Sequence, residues 1–277
     1  MHAILRCPER RCLITVQGNQ ILRLMMKNQA LPTAIGVTGA SRGIGAATAI
    51  ELARRGFMVA CLNRNCLATA CPEGISGDVS SRLVGVQCDI RDEESVQRAL
   101  QQANNLGSGL FGVINNAGIA SGGPSDTYAL KDFEETLRTN VIGTFSVCQS
   151  AYPFLAANGG GIIVNIGSFW DRIGGKRYAA YCASKAAVAA ISRALAVEWA
   201  KKNIRVLDVA PGYVRTEMTA DHLDQQAMQE HLKGRIPRGY PGEPGDIARF
   251  VGSIFVENNS YLTGTTIYID GAQGISP

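Results

Sequence analysis

The sequence predicts an α/β fold, a single doubly wound parallel sheet with helices on both faces. Three observations carry that reading. From Thr33 onward, short Val- and Ile-rich runs alternate with stretches whose apolar residues recur at helical spacing. A strand, a helix and a further strand in succession join parallel neighbours through a crossover, so repetition of the unit builds a sheet covered on each side. The chain has 277 residues, 46% of them hydrophobic, enough for one large core, and its 31 glycines against 10 prolines without a repeat point to many close backbone approaches.

The first strand is expected over 34–37, followed by a helix in which Ala46, Ala49, Ile50 and Ala53 share one face and Gly56 is the stop. Strands at 57–62 and 83–87 come next. Between them, Pro72, Gly74 and Gly77 leave room only for a short or broken helix over 65–80. Asp92 opens a helix running through Val96 and Leu100, and a strand follows at 110–114. A helix over 133–152 precedes a strand at 161–166, a long helix over 181–199 precedes a strand at 205–210, and the last strand covers 265–270. No linker interrupts 33–277, which reads as one domain behind an N-terminal extension, 1–32.

The extension carries Arg6, Arg10, Arg11, Arg23 and Lys27 against Glu9 alone, which accounts for the whole net charge of +4. The body is neutral, and a nucleic-acid partner, which would need a basic stripe there, is not expected. The extension has no serine and no continuous apolar run, so it does not resemble a secretory signal. Gln17-Gly18-Asn19-Gln20 between the apolar stretches 12–16 and 21–24 is a turn signal for an added hairpin, while a dispensable extension ahead of Met25 or Met26 is the other reading. No apolar run reaches the length of a membrane span, so no membrane is expected. The eight cysteines form no C-x-x-C pair and fit reduced thiols in a cytoplasmic protein better than zinc ligands or disulfides. His2, His222 and His231 lack a positioned partner, and no metal site is expected.

Thr38-Gly39-Ala40-Ser41-Arg42-Gly43-Ile44-Gly45 falls between the first strand and the first helix. Glycines in such a turn let the backbone approach a pyrophosphate, whose charge meets unpaired N–H groups at the positive end of the helix. Further along stand Asn115-Asn116-Ala117-Gly118, Asn140, Ser168, Tyr181-Cys-Ala-Ser-Lys185 and Pro211-Gly212 followed by Thr216. With Cys88-Asp89-Ile90 they occur in order, and thirteen residues separate Ser168 from Tyr181. In these motifs the chain resembles the short-chain dehydrogenase/reductase family from about Thr33 to Ile275.

That resemblance implies a Rossmann-type fold, a nicotinamide dinucleotide cofactor and hydride transfer between a carbonyl and a secondary alcohol. Gly39, Ser41, Arg42, Gly43, Ile44 and Gly45 would then cradle the pyrophosphate, Asp89 and Ile90 meet the adenine, and Asn116, Ala117 and Gly118 back the adenosine. Pro211, Gly212, Val214 and Thr216 would border the nicotinamide. Reduction develops negative charge on the carbonyl oxygen, so a proton donor is needed there. Tyr181 and Lys185 lie four apart on a helix and share a face, where the ammonium can lower the pKa of the phenol. By the resemblance, Tyr181 is the acid/base, Lys185 also holds ribose hydroxyls, Ser168 fixes the substrate oxygen and Asn140 organises a water relay.

Asn63 ends the second strand, where NAD-dependent members of the family place an acid. Arg42 and Arg64 are positioned for a 2′-phosphate, so NADP(H) is favoured over NAD(H), although both arginines could be solvated surface groups. Residues 235–248, Tyr261-Leu-Thr-Gly and Asp270-Gly271 look like the 3-oxoacyl-[acyl-carrier-protein] reductase branch, which implies a 3-oxoacyl thioester or small ketone. A polyol or sugar is the alternative substrate, and a dinucleotide sensor without turnover is the alternative of another class. The stretch 151–161 lacks the basic residues with which that branch docks its acidic carrier. Trp170 and Arg172 are expected to border the pocket or to form a surface loop, and residues 213–238, polar and helical in pattern, resemble the mobile segment that covers substrate in this family. The resemblance implies a homotetramer, to which Ala187, Ile191 and Ala194 on one helix and Ile267, Tyr268 and Ile269 on the last strand would contribute apolar contacts.

Overall fold

The structure, a computed structural model, describes residues 3–5, 14–16, 33–71, 74–217, 219–257 and 259–276. Its contacts divide the chain into two units, Met1–Pro32 and Thr33–Pro277. In the first, β1 (Ala3–Leu5) pairs antiparallel with β2 (Ile14–Val16), with Ile4 opposite Thr15. Ile14–Val16, within the run expected at 12–16, thus pairs with the apolar stretch Ala3–Leu5 upstream, and the turn signal at 17–20 lies outside the described residues. The strand expected at 21–24 lies outside the described residues.

The second unit is a seven-stranded parallel sheet. Its strands are β3 (Ala34–Thr38), β4 (Met58–Asn63), β5 (Leu83–Gln87), β6 (Leu110–Asn115), β7 (Gly161–Ile166), β8 (Ile204–Pro211) and β9 (Thr266–Ile269). They lie in the order β5-β4-β3-β6-β7-β8-β9, every neighbouring pair parallel. Every residue of β3, β7 and β8 is buried, because helices cover both faces of the sheet.

On one face pack α1 (Gly43–Arg54) and α9 (Pro244–Glu257), and on the other α3 (Glu93–Asn104), α5 (Thr144–Ala157) and α6 (Ala179–Trp199). Asp92 caps α3 by accepting from the backbone N–H groups of Glu94 and Ser95. Between β4 and β5, only α2 (Gly77–Ser81) forms among the described residues, as the breakers in that segment require. The helix expected over 133–152 is in fact α4 (Leu130–Leu137) and α5 joined by a π turn, Arg138–Gly143, that contains Asn140. Residues 213–238 hold α7 (Ala220–Leu223) and α8 (Gln226–Arg235). By length and composition α6 could span a bilayer, but its buried face lies against the sheet.

Candidate active site

The strand order reverses between β3 and β6, and a cleft of about 530 Å³ opens there, at the carboxyl ends of the strands. The glycine turn forms one wall. Gly39 and Gly43 have φ of +65° and +58°, conformations that suit residues without a Cβ. Gly39, Ser41, Arg42, Gly43 and Ile44 line the cleft. Gly45 does not: a Cβ there would stand 2.3 Å from the carbonyl oxygen of Gly39 and 2.4 Å from Nδ2 of Asn116, so this glycine serves the close packing of turn on helix. Among the described residues no side chain caps the N-terminus of α1, and no acid stands in its first turn, which leaves its N–H groups for an anion.

The turn is tied to the end of β6. Thr38 Oγ1 accepts from the backbone N–H groups of Asn116 and Ala117, both at 3.0 Å, while Nδ2 of Asn116 donates to the carbonyls of Thr38 and Gly39 at 3.1 and 3.2 Å. Ala117 and Gly118 thus face the cleft with Asn116 as their strap. Across from them, Thr216 packs against Gly43, where a Cβ would lie 3.4 Å from its Cγ2, and Pro211, Gly212 and Val214 continue that wall.

At the adenine end, Asn63, Arg64, Asp89 and Ile90 line the cleft. The buried side chain of Asn63 is committed locally: it donates to the carbonyls of Cys61 and Leu67 and accepts from the backbone N–H groups of Asn65 and Leu67. Both oxygens of Asp89 accept from the guanidinium of Arg91, which holds its carboxyl below the usual range. Arg42 and Arg64 are exposed at the rim. The positive-φ glycines, the uncapped helix end and these rim cations fit a nicotinamide dinucleotide.

The far end brings Ser168, Tyr181 and Lys185 together. Ser168 follows β7, and its Oγ accepts from the N–H of Trp170 at 3.3 Å and is hydrogen-bonded to the phenol of Tyr181. Lys185, one turn along α6, donates from Nζ to the carbonyl of Ile166 at 2.7 Å and stands 5.6 Å from the centre of the Tyr181 ring. Asn140 is buried beside them, its Oδ1 accepting from the N–H of Ile119 and its Nδ2 donating to the carbonyl of Ile119 and to Ser184 Oγ. Burial pushes Tyr181 up to about 12, which the Ser168 hydrogen bond only partly opposes, and burial pulls Lys185 down to about 8. The lowered phenol pKa expected from Lys185 is therefore not found in this geometry, because desolvation prevails and the ammonium is aimed at Ile166. Tyr181 is a protonated phenol at neutral pH.

An aromatic wall completes the cleft, and sequence reasoning finds only its Trp170. The Trp170 ring lies 4.9 Å from Tyr178, 5.7 Å from Tyr181 and 6.1 Å from Tyr213, with Phe169 behind it. Leu223 of α7 closes the lining. Arg172 does not border this pocket: its guanidinium stacks 3.6 Å from the centre of the Tyr268 ring and lies 4.0 Å from Asp270. Those two partners, not the cleft, satisfy its charge.

The family described as enoyl-(acyl carrier protein) reductase matches residues 39–273. Human 3-oxoacyl-[acyl-carrier-protein] reductase is 36% identical over 236 residues, covering 85% of this chain and 95% of that protein. Short-chain dehydrogenase/reductase is the family to which this chain belongs. Members that it resembles differ in substrate: glucose 1-dehydrogenase of Gluconobacter oxydans is also 36% identical, over 85% of this chain and 89% of its own. The fold agrees with that of a short-chain type dehydrogenase/reductase from Mycobacterium marinum, with a TM-score of 0.79 and 31% identity over 87% of this chain and 95% of that one. A protein provisionally described as a 2-deoxy-D-gluconate 3-dehydrogenase, from Agrobacterium tumefaciens with bound NADP, superposes with a TM-score of 0.77 at 29% identity over 88% of this chain and 97% of that one. As a short-chain dehydrogenase/reductase the chain is an NAD(P)-dependent oxidoreductase acting on CH–OH groups.

Proposed function

We propose that this enzyme is an NADP(H)-dependent reductase of a 3-oxoacyl thioester or other small ketone. The observation that carries the reading is the meeting of Ser168, Tyr181 and Lys185 at the inner end of a cleft whose outer rim bears Arg42 and Arg64. When bound, the nicotinamide supplies or accepts the hydride. Ser168 Oγ orients the carbonyl oxygen, and Tyr181, protonated at neutral pH, delivers a proton from Oη as negative charge develops on that oxygen. Lys185 binds the ribose from the same helix face. Arg42 and Arg64 would pair with a 2′-phosphate, for which planar guanidinium groups are suited.

Phe169, Trp170, Tyr178 and Tyr213 give the substrate an apolar, flat surface beside the proton donor. That surface favours a carbonyl on an apolar group. A polyol or sugar is the second reading, supported by the glucose 1-dehydrogenase relative and by stacking of C–H faces on such a wall. A panel of 3-oxoacyl thioesters, apolar ketones and sugars, each tried with NADPH and NADH, decides between them: turnover of sugars alone would replace the first reading by the second.

The reading extends to the rest of the chain as a cytoplasmic homotetramer in which residues 1–32 form an extension to the catalytic domain 33–277.

A further inference from the structure

β8 runs Ile204-Arg205-Val206-Leu207-Asp208-Val209-Ala210-Pro211 through the interior of the sheet. Its side chains alternate, Leu207 and Val209 facing the layer of α1 and α9, Ile204 and Val206 facing the layer of α3, α5 and α6. Asp208 thus falls on the second face, the one from which Lys185 enters on α6. It is 0% exposed. Thr266 Oγ1 donates to its Oδ2 at 3.0 Å, but Oδ1 has no hydrogen-bond partner among the described residues. A buried carboxylate left in that state is costly unless a cation compensates it.

The backbone beside it is shaped to admit it. A Cβ at Gly167 would stand 2.4 Å from Oδ1 and 2.8 Å from Oδ2 of Asp208, so any side chain there would displace the carboxylate. Gly167 lies between Ile166, whose carbonyl receives the Lys185 ammonium, and Ser168. Carboxylate and ammonium therefore converge on one three-residue segment. The other charged or titratable groups acting on Asp208 are Arg193 from α6, Asp171 from the turn after β7 and Tyr268 from β9. Arg193 is exposed, and Asp171 is like-charged and accepts from the Tyr268 hydroxyl at 2.8 Å. Lys185 is the buried cation among them.

We propose that Asp208 is the buried counter-charge of Lys185, a positioning residue that keeps the lysine protonated at neutral pH. Its consequence for the reaction rests on the reading of Lys185 given above. Burial pulls Lys185 down to about 8 while Asp208 acts upward, and burial pushes Asp208 up to about 6 while Lys185 acts downward, so both are charged between those values. Below about 6 the carboxylate takes a proton and the pairing is lost.

Titration of the full-length protein carrying lysine labelled with ¹³C at the ε carbon, followed by NMR, tests this directly. The Lys185 signal is the one absent from Lys185→Met. In Asp208→Asn its midpoint should fall by about one pH unit or more, and Gly167→Ala, which pushes the carboxylate aside, should move it the same way. An unchanged midpoint in either variant, folded by circular dichroism, overturns the proposal; if Asp208→Asn does not fold, Gly167→Ala decides. The two readings separate cleanly. Full turnover in Lys185→Met with a shifted midpoint in Asp208→Asn would refute the site assignment and keep the counter-charge, and the reverse pair of results would do the opposite.

Discussion

The Nζ of Lys185 donates to the carbonyl of Ile166 at 2.7 Å, two residues ahead of Ser168 in the chain. One side chain of α6 is thereby fixed to the strand end that delivers Ser168. Lys185→Met removes a cation and this strap together, so turnover and NADPH affinity should each fall by about tenfold or more. Steady-state kinetics and fluorescence titration of the cofactor measure the two separately; if neither changes, the double role is refuted. Because burial holds the lysine near 8 and not at its usual 10.5, wild-type cofactor affinity should weaken as pH rises through about 8, where the ammonium loses its proton.

Tyr181→Phe keeps the ring against Trp170 and removes only the hydroxyl that meets Ser168. Turnover should drop by about a hundredfold or more while NADPH still binds with wild-type affinity. Retention of a tenth of wild-type kcat would eliminate Tyr181 as the proton donor.

Arg42 and Arg64 stand exposed on the cleft rim, and the neighbouring Asn63 has its side chain committed to the turn over 63–67. No acid on β4 therefore repels a 2′-phosphate. The ratio of kcat/KM for NADPH to that for NADH should favour NADPH in the wild type and shrink or invert in Arg64→Asp. Equal values in the wild type would reduce both arginines to surface groups.

Two glycines predict opposite responses to the same added methyl group. At Gly45 a Cβ would meet the Gly39 carbonyl at 2.3 Å and Asn116 at 2.4 Å, so Gly45→Ala must separate the turn from α1 at a cost of about 1–3 kcal/mol. Gly234, inside α8, has no described atom within 4 Å of such a Cβ, and Gly234→Ala should raise stability by about 0.5–1 kcal/mol. Urea denaturation of both variants checks the pair. A Gly45→Ala protein as stable as the wild type would mean that the tight contact at Gly45 does not exist in solution, and a destabilised Gly234→Ala would mean that the space beside Gly234 is not open.

The local signals that succeed are those whose cause is local. Asp92 marks the start of α3, and the segment before β5 holds only the short helix α2, which begins at Gly77, because capping and φ restriction act within a few residues. α9 is missing from the sequence reading although Ile247, Val251, Ile254 and Phe255 repeat at helical spacing, with Gly252 among them. Gly252 is there for tertiary reasons: a Cβ would stand 2.7 Å from Nε of Arg55, just past the end of α1. The aromatic wall is hidden for a similar cause, as Tyr213 reaches Trp170 only after β7 and β8 pair. The sequence leaves Arg172 open between pocket and surface loop because its partners, Tyr268 and Asp270, lie about a hundred residues away. Asp208 is visible as a charge in an apolar strand, but its neighbours Gly167 and Lys185 are not.

The last prediction concerns assembly. Of the stripe expected on α6, Ile191 packs into the core, so part of it covers the sheet. Large apolar side chains stand exposed elsewhere on the same helical layer: Ile142 in the π turn is 63% exposed, Phe145 at the start of α5 40%, and Val197 near the end of α6 83%. A second apolar group flanks β9, the edge strand, in Tyr261 at 97% and Ile275 at 76%. A bare edge strand with apolar neighbours invites pairing, and large exposed apolar groups mark interaction surfaces. Two self-complementary contacts on different sides of one subunit, each with its own two-fold axis, close into a tetramer when the axes are perpendicular. Light scattering at low micromolar concentration should therefore give a mass about four times the 29.5 kDa subunit. Charge placed on one surface, as in Phe145→Glu with Ile142→Lys, should leave a dimer held by the other, because each contact buries its own patch. A wild-type mass near 29.5 kDa would defeat the assembly, and a double variant that stays tetrameric would show that this helix surface is not one of its interfaces.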